Sequence, residues 1–425
     1  MILSNLLTRG VTVAATAAAA AIGVSFFAVM DANPTLYMYD KYVTNAYNDQ
    51  RRLLHYNHVH NKNIWIIGAS SGIGLELTKQ LVFYGANVIV SSRNIQSKSD
   101  ELMAIESGST PGSSSASTGR ISGIIPLDIT GSVEHLQQAI DHVEEILLDE
   151  ESSTIATTTR NGISSSDNDN NVKSNRSTGG SGGRRNLDYV VINSGKGHLS
   201  TAIDTSPEVT KQIFQINTIG PITLTQLLLK RGLLLKTKSN SNDEVTTTTN
   251  LVITSSVGGK FGVPLSSSYA ASKHALHGYY NSLHSENPWL NIALLCPGPI
   301  NTPFHTNHVK DVNDDDKTSK VVVDDNSMQK KKKKNKVREL KMDVQRCVTL
   351  IITSMIMMNR NNANKNANNG NCKEYWIAEQ PTLIGLYVNQ YLPTIFQNLV
   401  LSKVGPIRIK AFKDGKNLYD PNTFR

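Results

Sequence analysis

Cysteine is scarce in this chain of 425 residues, which contains only three, at positions 296, 347 and 372. No pair has the short C-x-x-C spacing typical of zinc or redox sites, and three cysteines do not form a disulfide framework. The histidines of HYNHVH, at 55, 58 and 60, have no neighbouring carboxylate and precede the folded region in a predicted surface linker. We therefore predict no metal site.

Long apolar runs are also rare. One uncharged run covers residues 11–30, with Arg9 before it and Asp31 after it. About twenty residues form a helix of about 30 Å, which matches the hydrocarbon core of a bilayer. Because the run is rich in alanine, an uncleaved anchor, a cleaved targeting segment and a buried helix all stay open. We assign residues 1–31 to a membrane anchor or targeting segment and residues 32–60 to a linker.

Aromatic residues are missing where positive charge is concentrated. The formal net charge is +8, and residues 306–341 carry eleven Lys and Arg against seven Asp and Glu, a difference of +4. That stretch has no aromatic side chain on which a base could stack. We predict no nucleic-acid partner, and interpret the stretch either as a solvated loop or as a segment attracted to anionic lipid.

Four tracts are poor in apolar residues: 107–119, about 150–185, 306–341 and 359–373. Such tracts bury too little apolar surface to offset the entropy lost on ordering, so we predict disordered surface insertions. Without them and the first sixty residues about 260 residues remain, the size of one α/β domain. We predict that this domain spans residues 61–415 and that residues 416–425 form a tail.

The segment NIWIIGASSGIGLELTKQLVFYGANVIVSSR contains an apolar strand, a glycine turn, an amphipathic helix and a second apolar strand. Gly68, Gly72 and Gly74 lie in the turn and the first helical residues, where a missing side chain lets the backbone approach a pyrophosphate. The spacing is G-x-x-x-G-x-G and not the commoner G-x-G-x-x-G. The turn, including Ser70, Ser71 and Ile73, is thus predicted to bind a dinucleotide.

Seven short apolar runs alternate with helical patterns and predict strands at 63–68, 87–92, 121–126, 188–193, 250–255, 291–296 and 374–378. Continuous apolar runs are typical of parallel strands that are buried on both faces. The predicted fold class is α/β: a single Rossmann-type doubly wound domain with a seven-stranded parallel sheet, an N-terminal apolar helix and several disordered insertions. Right-handed crossovers then place the ligand at the carboxyl ends of the strands.

A hydroxyl, a phenol and an ammonium are closely spaced in SSVGGKFGVPLSSSYAASK: Ser256, Tyr269 and Lys273. Tyr269 and Lys273 are four residues apart and would share one face of a helix. A nearby positive charge favours the phenolate, so Lys273 is expected to lower the pKa of Tyr269 and make it a general acid or base. Ser256 ends the apolar run NLVITSS and would hold the substrate oxygen.

The glycine turn and the Y-x-x-x-K motif resemble the short-chain dehydrogenase/reductase family over about residues 60–415. Phrases such as LLCPGPINT and EYWIAEQPTLIGLYVNQYLP resemble its membrane-associated branch. The resemblance implies that Asp128 contacts the adenine and that Asn217 positions a water beside Lys273. Further implied cofactor contacts are Asn193, Gly195, Pro297, Gly298, Ile300 and Thr302. Ile192 and Ser194 depart from the family's Asn-Asn-Ala-Gly, which we expect to alter strand contacts without removing the cofactor site.

The end of the second strand indicates which cofactor is used. Ser92 occupies the position where an acidic residue would bind the ribose hydroxyls of NAD, and Arg93 follows it. A planar guanidinium suits a 2′-phosphate, so we predict NADP(H).

The resemblance implies hydride transfer from the nicotinamide to a carbonyl carbon, with Tyr269 as proton donor, Ser256 on the carbonyl oxygen and Lys273 on the ribose. We predict an NADP(H)-dependent reductase that interconverts a carbonyl and a primary or secondary alcohol on a steroid, retinoid or keto-lipid. Membrane lipid and a second copy of the chain are predicted partners. The predicted location is the endoplasmic reticulum membrane or, alternatively, a plastid or other organelle. The alternative function is a catalytically weak, cofactor-binding membrane scaffold or regulator.

Overall fold

The computed structural model describes residues 29–44, 55, 57–106, 119–160, 186–234, 249–305, 308–309, 339–363 and 372–424. None of the helices in these ranges combines the length and apolar character needed to cross a bilayer. Residues 11–28 of the predicted apolar helix and most of the four predicted insertions lie outside the described residues.

A seven-stranded parallel sheet forms the centre of the protein, with strand order β3-β2-β1-β4-β5-β6-β7. The bounds are Asn63–Ile67 (β1), Asn87–Ser92 (β2), Arg120–Pro126 (β3), Tyr189–Ile192 (β4), Asn250–Thr254 (β5), Asn291–Pro297 (β6) and Cys372–Ile377 (β7). The order reverses direction between β1 and β4, which opens a crevice at the carboxyl ends of these strands. The predicted α/β class with a seven-stranded parallel sheet is confirmed.

Helices cover both faces of the sheet. Their bounds are Pro34–Met38 (α1), Gly72–Phe83 (α2), Ser99–Glu106 (α3), Val133–Arg160 (α4), Pro207–Phe214 (α5), Gly220–Lys230 (α6), Ser267–Glu286 (α7), Val344–Ala363 (α8), Thr382–Tyr391 (α9), Pro393–Ile395 (α10) and Ser402–Lys413 (α11). One buried apolar cluster joins α1, α2, α8 and α9 to the sheet, and a second joins α4, α6 and α7 to its other face. The strands β1, β2, β4, β5 and β6 are buried along their whole length, which explains why they read as apolar runs, whereas the edge strands β3 and β7 are only partly buried.

The predicted linker at 32–60 is wrong for the residues that the structure describes. Ala32 forms a β-bridge with Ile377, and Leu36 is fully buried. Arg346 binds Asp31 and Asp40 through its guanidinium, at 2.7 and 2.6 Å. His55 is buried against the ring of Tyr84 instead of lying at the surface. This segment belongs to the fold because its few apolar side chains cover the edge of the first cluster.

Several predicted boundaries also change. Helix α4 continues to Arg160 and α8 to Ala363, so these helices run into the predicted insertions at 150–185 and 359–373. Once a helix has formed, each further residue adds one hydrogen bond at low cost, and polar residues can extend it. The predicted tail is folded up to residue 424, and Leu418 in it is buried.

Candidate active site

The glycine turn between β1 and α2 is closed by contacts that leave no room for a side chain. Gly68 has φ +89°, and a Cβ there would lie 2.8 Å from the nitrogen of Ser194. A Cβ on Gly74 would lie 2.0 Å from the carbonyl oxygen of Gly68. Gly72 has φ +56° and faces Thr302. A Cβ on Gly72 would lie 3.3 Å from the Cβ of Thr302. The N-terminus of α2 therefore borders a backbone cradle of the kind that accepts a pyrophosphate.

Asn193 holds this turn from the neighbouring strand end. Its Nδ2 donates to the carbonyl oxygen of Gly68 at 3.1 Å, and its Oδ1 accepts from Thr254 Oγ1 at 3.1 Å. One side chain thus joins the carboxyl ends of β1, β4 and β5. Ile192, one of the two departures from the family pattern, is buried in the core.

A cleft of about 1120 Å³ runs along these strand ends. Most of the sequence-predicted site residues line it, and Gly74 and Asn217 lie just behind its wall. The lining residues among the predictions are Gly68, Ser70, Ser71, Gly72, Ile73, Arg93, Asp128, Asn193, Gly195, Ser256, Tyr269, Lys273, Pro297, Gly298, Ile300 and Thr302.

Lys273 projects from α7 into the buried base of the cleft. Its Nζ donates to the carbonyl oxygen of Thr254 at 2.8 Å. A Cβ built on Gly195 would lie 3.5 Å from this Nζ and 3.4 Å from Asn217 Oδ1, so the lysine and the asparagine flank one glycine. Burial lowers the pKa of Lys273 to about 8, because the interior penalises its charged form.

Tyr269 lies one helical turn before Lys273 and is hydrogen-bonded to the hydroxyl of Ser256. Burial raises the pKa of Tyr269 to about 12, and the Ser256 hydrogen bond acts in the opposite direction without reversing the shift. The expected lowering of this pKa by Lys273 is therefore not observed in this structure. The physical reason is that the ammonium donates to a backbone carbonyl while the phenol is desolvated by its neighbours, including Phe304.

Asn217 lies on a π-helical turn, Gln215–Ile219, of a kind that often marks functional sites. Its Oδ1 accepts from the backbone nitrogen of Lys196 at 2.8 Å, and its Nδ2 donates to the Lys196 carbonyl at 2.9 Å and to Ser272 Oγ at 3.0 Å. It therefore holds the loop after β4 against α7. The water relay implied by the family resemblance stays a prediction.

The end of β2 fits a phosphorylated ribose. Ser92 Oγ is buried with no hydrogen-bond partner, directly before the exposed Arg93. Lys196, which the sequence analysis missed, also lines the cleft, and its pKa is lowered by burial and by the charge of Arg93. Two cations that repel each other are stabilised by an anion between them. These groups and the glycine cradle fit a dinucleotide that carries a phosphate on its ribose.

A second polar network, missed from the sequence, lies behind Ser256. His277 Nδ1 is 2.9 Å from Glu374 Oε2, and its Nε2 is 2.9 Å from Ser255 Oγ. Lys260 Nζ is 3.0 Å from the same carboxylate oxygen. Burial opposes the charge of Glu374, but hydrogen bonds from His277 and Trp376 and the charge of Lys260 outweigh it, so the pKa falls to about 2. The network fixes the segment after β5 that carries Ser256.

Cys296 also lies beside this network, with its Sγ 3.8 Å from His277 Nε2. The ligand atoms of His277, Cys296 and Glu374 lie within 4.8 Å of one another. These residues are far apart in the chain and meet because β6, α7 and β7 pack together. Burial holds the pKa of the Cys296 thiol well above its ordinary value, and Lys260 already neutralises Glu374. Ion pairing with Lys260 and a protonated thiol therefore fit this arrangement better than a metal centre does.

The chain is similar to proteins of known class. Residues 172–313 match the short chain dehydrogenase family. Dehydrogenase/reductase SDR family member 7 of Homo sapiens is 27% identical over 356 residues, which is 83% of this chain and 80% of that protein. The Mus musculus protein of that name is 28% identical over 363 residues, covering 84% and 81%. A solved alcohol dehydrogenase from Thermococcus sibiricus complexed with 5-hydroxy-NADP aligns at 15% identity with TM-score 0.45, covering 76% of this chain and 97% of that chain.

The likeness to member 7 extends over most of the chain. The sheet order, the glycine turn and the Tyr-x-x-x-Lys pair on α7 agree with the expectations that the resemblance gave. Over most of its length the chain is thus similar to proteins of the short-chain dehydrogenase/reductase family.

Proposed function

We propose that this protein is an NADP(H)-dependent oxidoreductase that interconverts a carbonyl and a primary or secondary alcohol on a hydrophobic substrate, and that it works as a reductase. The observation that carries the proposal is the meeting of Ser256, Tyr269 and Lys273 in the cleft that the glycine turn borders. The test is NADPH oxidation by the purified protein with steroid ketones, retinal and long-chain keto-lipids. If no substrate of this panel increases NADPH oxidation above the substrate-free rate, the proposed activity is wrong.

Each catalytic side chain has a role that its surroundings support. The nicotinamide, when bound, supplies the hydride. Ser256 would donate a hydrogen bond to the carbonyl oxygen, where negative charge develops in the transition state. Tyr269 would protonate that oxygen. Its pKa of about 12 keeps the phenol protonated at neutral pH, which suits proton donation and hence the reductive direction. Lys273 would bind the ribose and, with Asn217, replace the proton.

Preference for NADPH over NADH would come from Arg93 at the end of β2 and Lys196 after β4. We expect Arg93→Ala to raise the KM for NADPH by about tenfold to a hundredfold, because one charge-assisted hydrogen bond to phosphate contributes about 1.5–3 kcal/mol. The KM for NADH should stay unchanged, since NADH has no 2′-phosphate. Lys230→Ala, which removes an exposed cation at the end of α6, is the control. An equal rise for both cofactors would contradict the assignment of Arg93.

The helices α9, α10 and α11 form an exposed apolar surface at the mouth of the cleft. Pro393 separates the first two of these helices, because α9 ends at Tyr391 and α10 begins at Pro393. Tyr391 is 73% exposed and Leu399 is 57% exposed, while Ile384 and Val400 also line the cleft. Residues 380–413 contain no Asp or Glu but include Lys403, Arg408, Lys410 and Lys413. We propose that this surface lies in one leaflet of an anionic bilayer, from which the substrate enters.

Amide hydrogen exchange of the full chain tests this contact. Because exchange is measured segment by segment, membrane binding by another part of the chain does not affect the result. Addition of phosphatidylcholine vesicles containing phosphatidylserine should slow amide exchange in residues 391–407, because lipid excludes water from them. The loop around Ile203, which is 92% exposed, serves as the internal control and should not change. Unchanged exchange in 391–407 would refute the membrane contact. The endoplasmic reticulum location and the homodimer remain predictions.

A further inference from the structure

The charged residues that line the cleft are mostly cations, and one of them has no role in the proposed reaction. They are Arg93, Lys196, Lys273 and Arg408, against the single carboxylate of Asp128. Arg93 and Lys196 lie at the cofactor end, and Lys273 belongs to the catalytic group. Arg408 lies on α11 and has no role in cofactor binding or in the chemical step as proposed.

The contacts of Arg408 leave its positive charge without a counter-charge. Its Nε donates to the carbonyl oxygen of Pro264 at 3.3 Å, and its guanidinium hydrogen-bonds Tyr419, with Cζ 5.8 Å from the centre of that ring. Within the described part of the chain, no carboxylate forms an ion pair with Arg408. A guanidinium has five N–H donors, so several still face the cleft. A half-buried charge of this kind is stabilised by an anionic partner.

Arg408 lies on the substrate side of the catalytic group. It contacts Pro264 in the segment that follows β5, whereas Arg93 follows β2, three strands away in the sheet. Tyr419, its hydrogen-bond partner, is close enough to Tyr269 for the two phenols to influence each other electrostatically. The other lining side chains around Arg408 are apolar: Val263, Leu340, Val404 and Leu418. An apolar wall that ends at a cation matches a molecule with an apolar body and an acidic end.

We propose that Arg408 binds the carboxylate of an amphipathic substrate, so that the natural substrates are carbonyl compounds with an apolar chain and an acid group, such as oxo fatty acids. The planar guanidinium presents paired N–H groups that fit a carboxylate, with the Tyr419 hydroxyl beside them. This inference rests on the proposed function and specifies its substrate class. It makes Arg408 a specificity-determining residue that takes no part in the chemical step.

Binding tests the proposal independently of turnover. The full chain with NADP⁺ is titrated with dodecanoate and with methyl dodecanoate, which differ in the acid group alone. Wild type should bind the acid about tenfold to a hundredfold more tightly than the ester, as expected for one charge-assisted contact. Arg408→Gln should remove this preference and leave ester affinity unchanged. The control Lys403→Gln, an exposed cation on the same helix, should keep it.

A purely structural role gives a different result. If Arg408 only holds Tyr419 in place, Arg408→Gln will weaken acid and ester equally, and the proposal is overturned. It is also overturned if wild type shows no preference for the acid. Arg408→Lys, which keeps the charge but loses the fork geometry, should show an intermediate preference.

Turnover of medium-chain oxo fatty acids and their methyl esters separates this proposal from the proposed function. The expected result is a lower KM for the acid, with similar kcat values for the two, and loss of the difference in Arg408→Gln. Equal KM values with good turnover would refute the role of Arg408 while the reductase assignment stands. If no carbonyl compound is reduced at all, the reductase assignment fails, and the acid preference in binding still decides the role of Arg408.

Discussion

Tyr269→Phe is expected to lower kcat for NADPH-dependent carbonyl reduction by a factor of about 10² to 10⁴, the usual contribution of a positioned proton donor. The substitution removes one oxygen from the cleft and keeps the ring. The contact of that ring with Phe304, at 6.0 Å between centroids, should therefore survive. NADPH affinity should change by less than about threefold, because the cradle at Gly68 and the cations Arg93 and Lys196 are untouched. Steady-state rates and a fluorescence titration of NADPH measure the two effects separately.

Tyr279→Phe is the matched control for this experiment. Tyr279 lies on the same helix, α7, outside the residues that line the cleft, and it packs against Tyr280. Its variant should retain the wild-type kcat. If Tyr269→Phe and wild type reduce every substrate at equal rates, Tyr269 is not the proton donor. The cofactor-binding scaffold would then describe the protein better than the reductase.

The parts of the site that the sequence predicts well are those encoded by neighbouring residues. Gly68, Gly72 and Gly74 lie within one turn, and Tyr269 and Lys273 lie within one helical turn, so spacing alone places them on one surface. Ser256 joins them because the ends of parallel strands meet at one edge of the sheet. The strands were predictable because burial on both faces demands continuous apolar runs.

The parts that the sequence did not predict depend on residues distant in the chain. Glu374 meets His277 only because β7 pairs with β6 and packs beside α7. Arg408 reaches the cleft from α11, and Tyr419 reaches it from residues 416–425, which were predicted to form a tail. The predicted direction of the pKa shift of Tyr269 was wrong for a related reason. This direction depends on desolvation of the phenol, which the spacing of Tyr269 and Lys273 does not reveal.

Gly74→Ala is expected to reduce NADPH affinity by a hundredfold or more and to lower the free energy of unfolding by about 1–3 kcal/mol, the typical cost of overpacking. Gly74 has an ordinary helical backbone, so the effect would be purely steric. The added Cβ would lie 2.0 Å from the Gly68 carbonyl oxygen and 2.8 Å from Asn193 Nδ2. Helix α2 must therefore shift away from the turn, and the hydrogen bond from Asn193 that closes the phosphate cradle is lost.

Gly278→Ala provides the comparison, because a Cβ there would meet nothing within 4 Å. It lies inside α7, where replacing glycine by alanine should stabilise the protein by up to about 1 kcal/mol through helix propensity. Urea denaturation and NADPH titration of both variants separate the steric effect from the general effect of adding a methyl group. Wild-type NADPH affinity in Gly74→Ala would show that the turn can relax without loss. The phosphate cradle would then not depend on the close approach of α2 to Gly68.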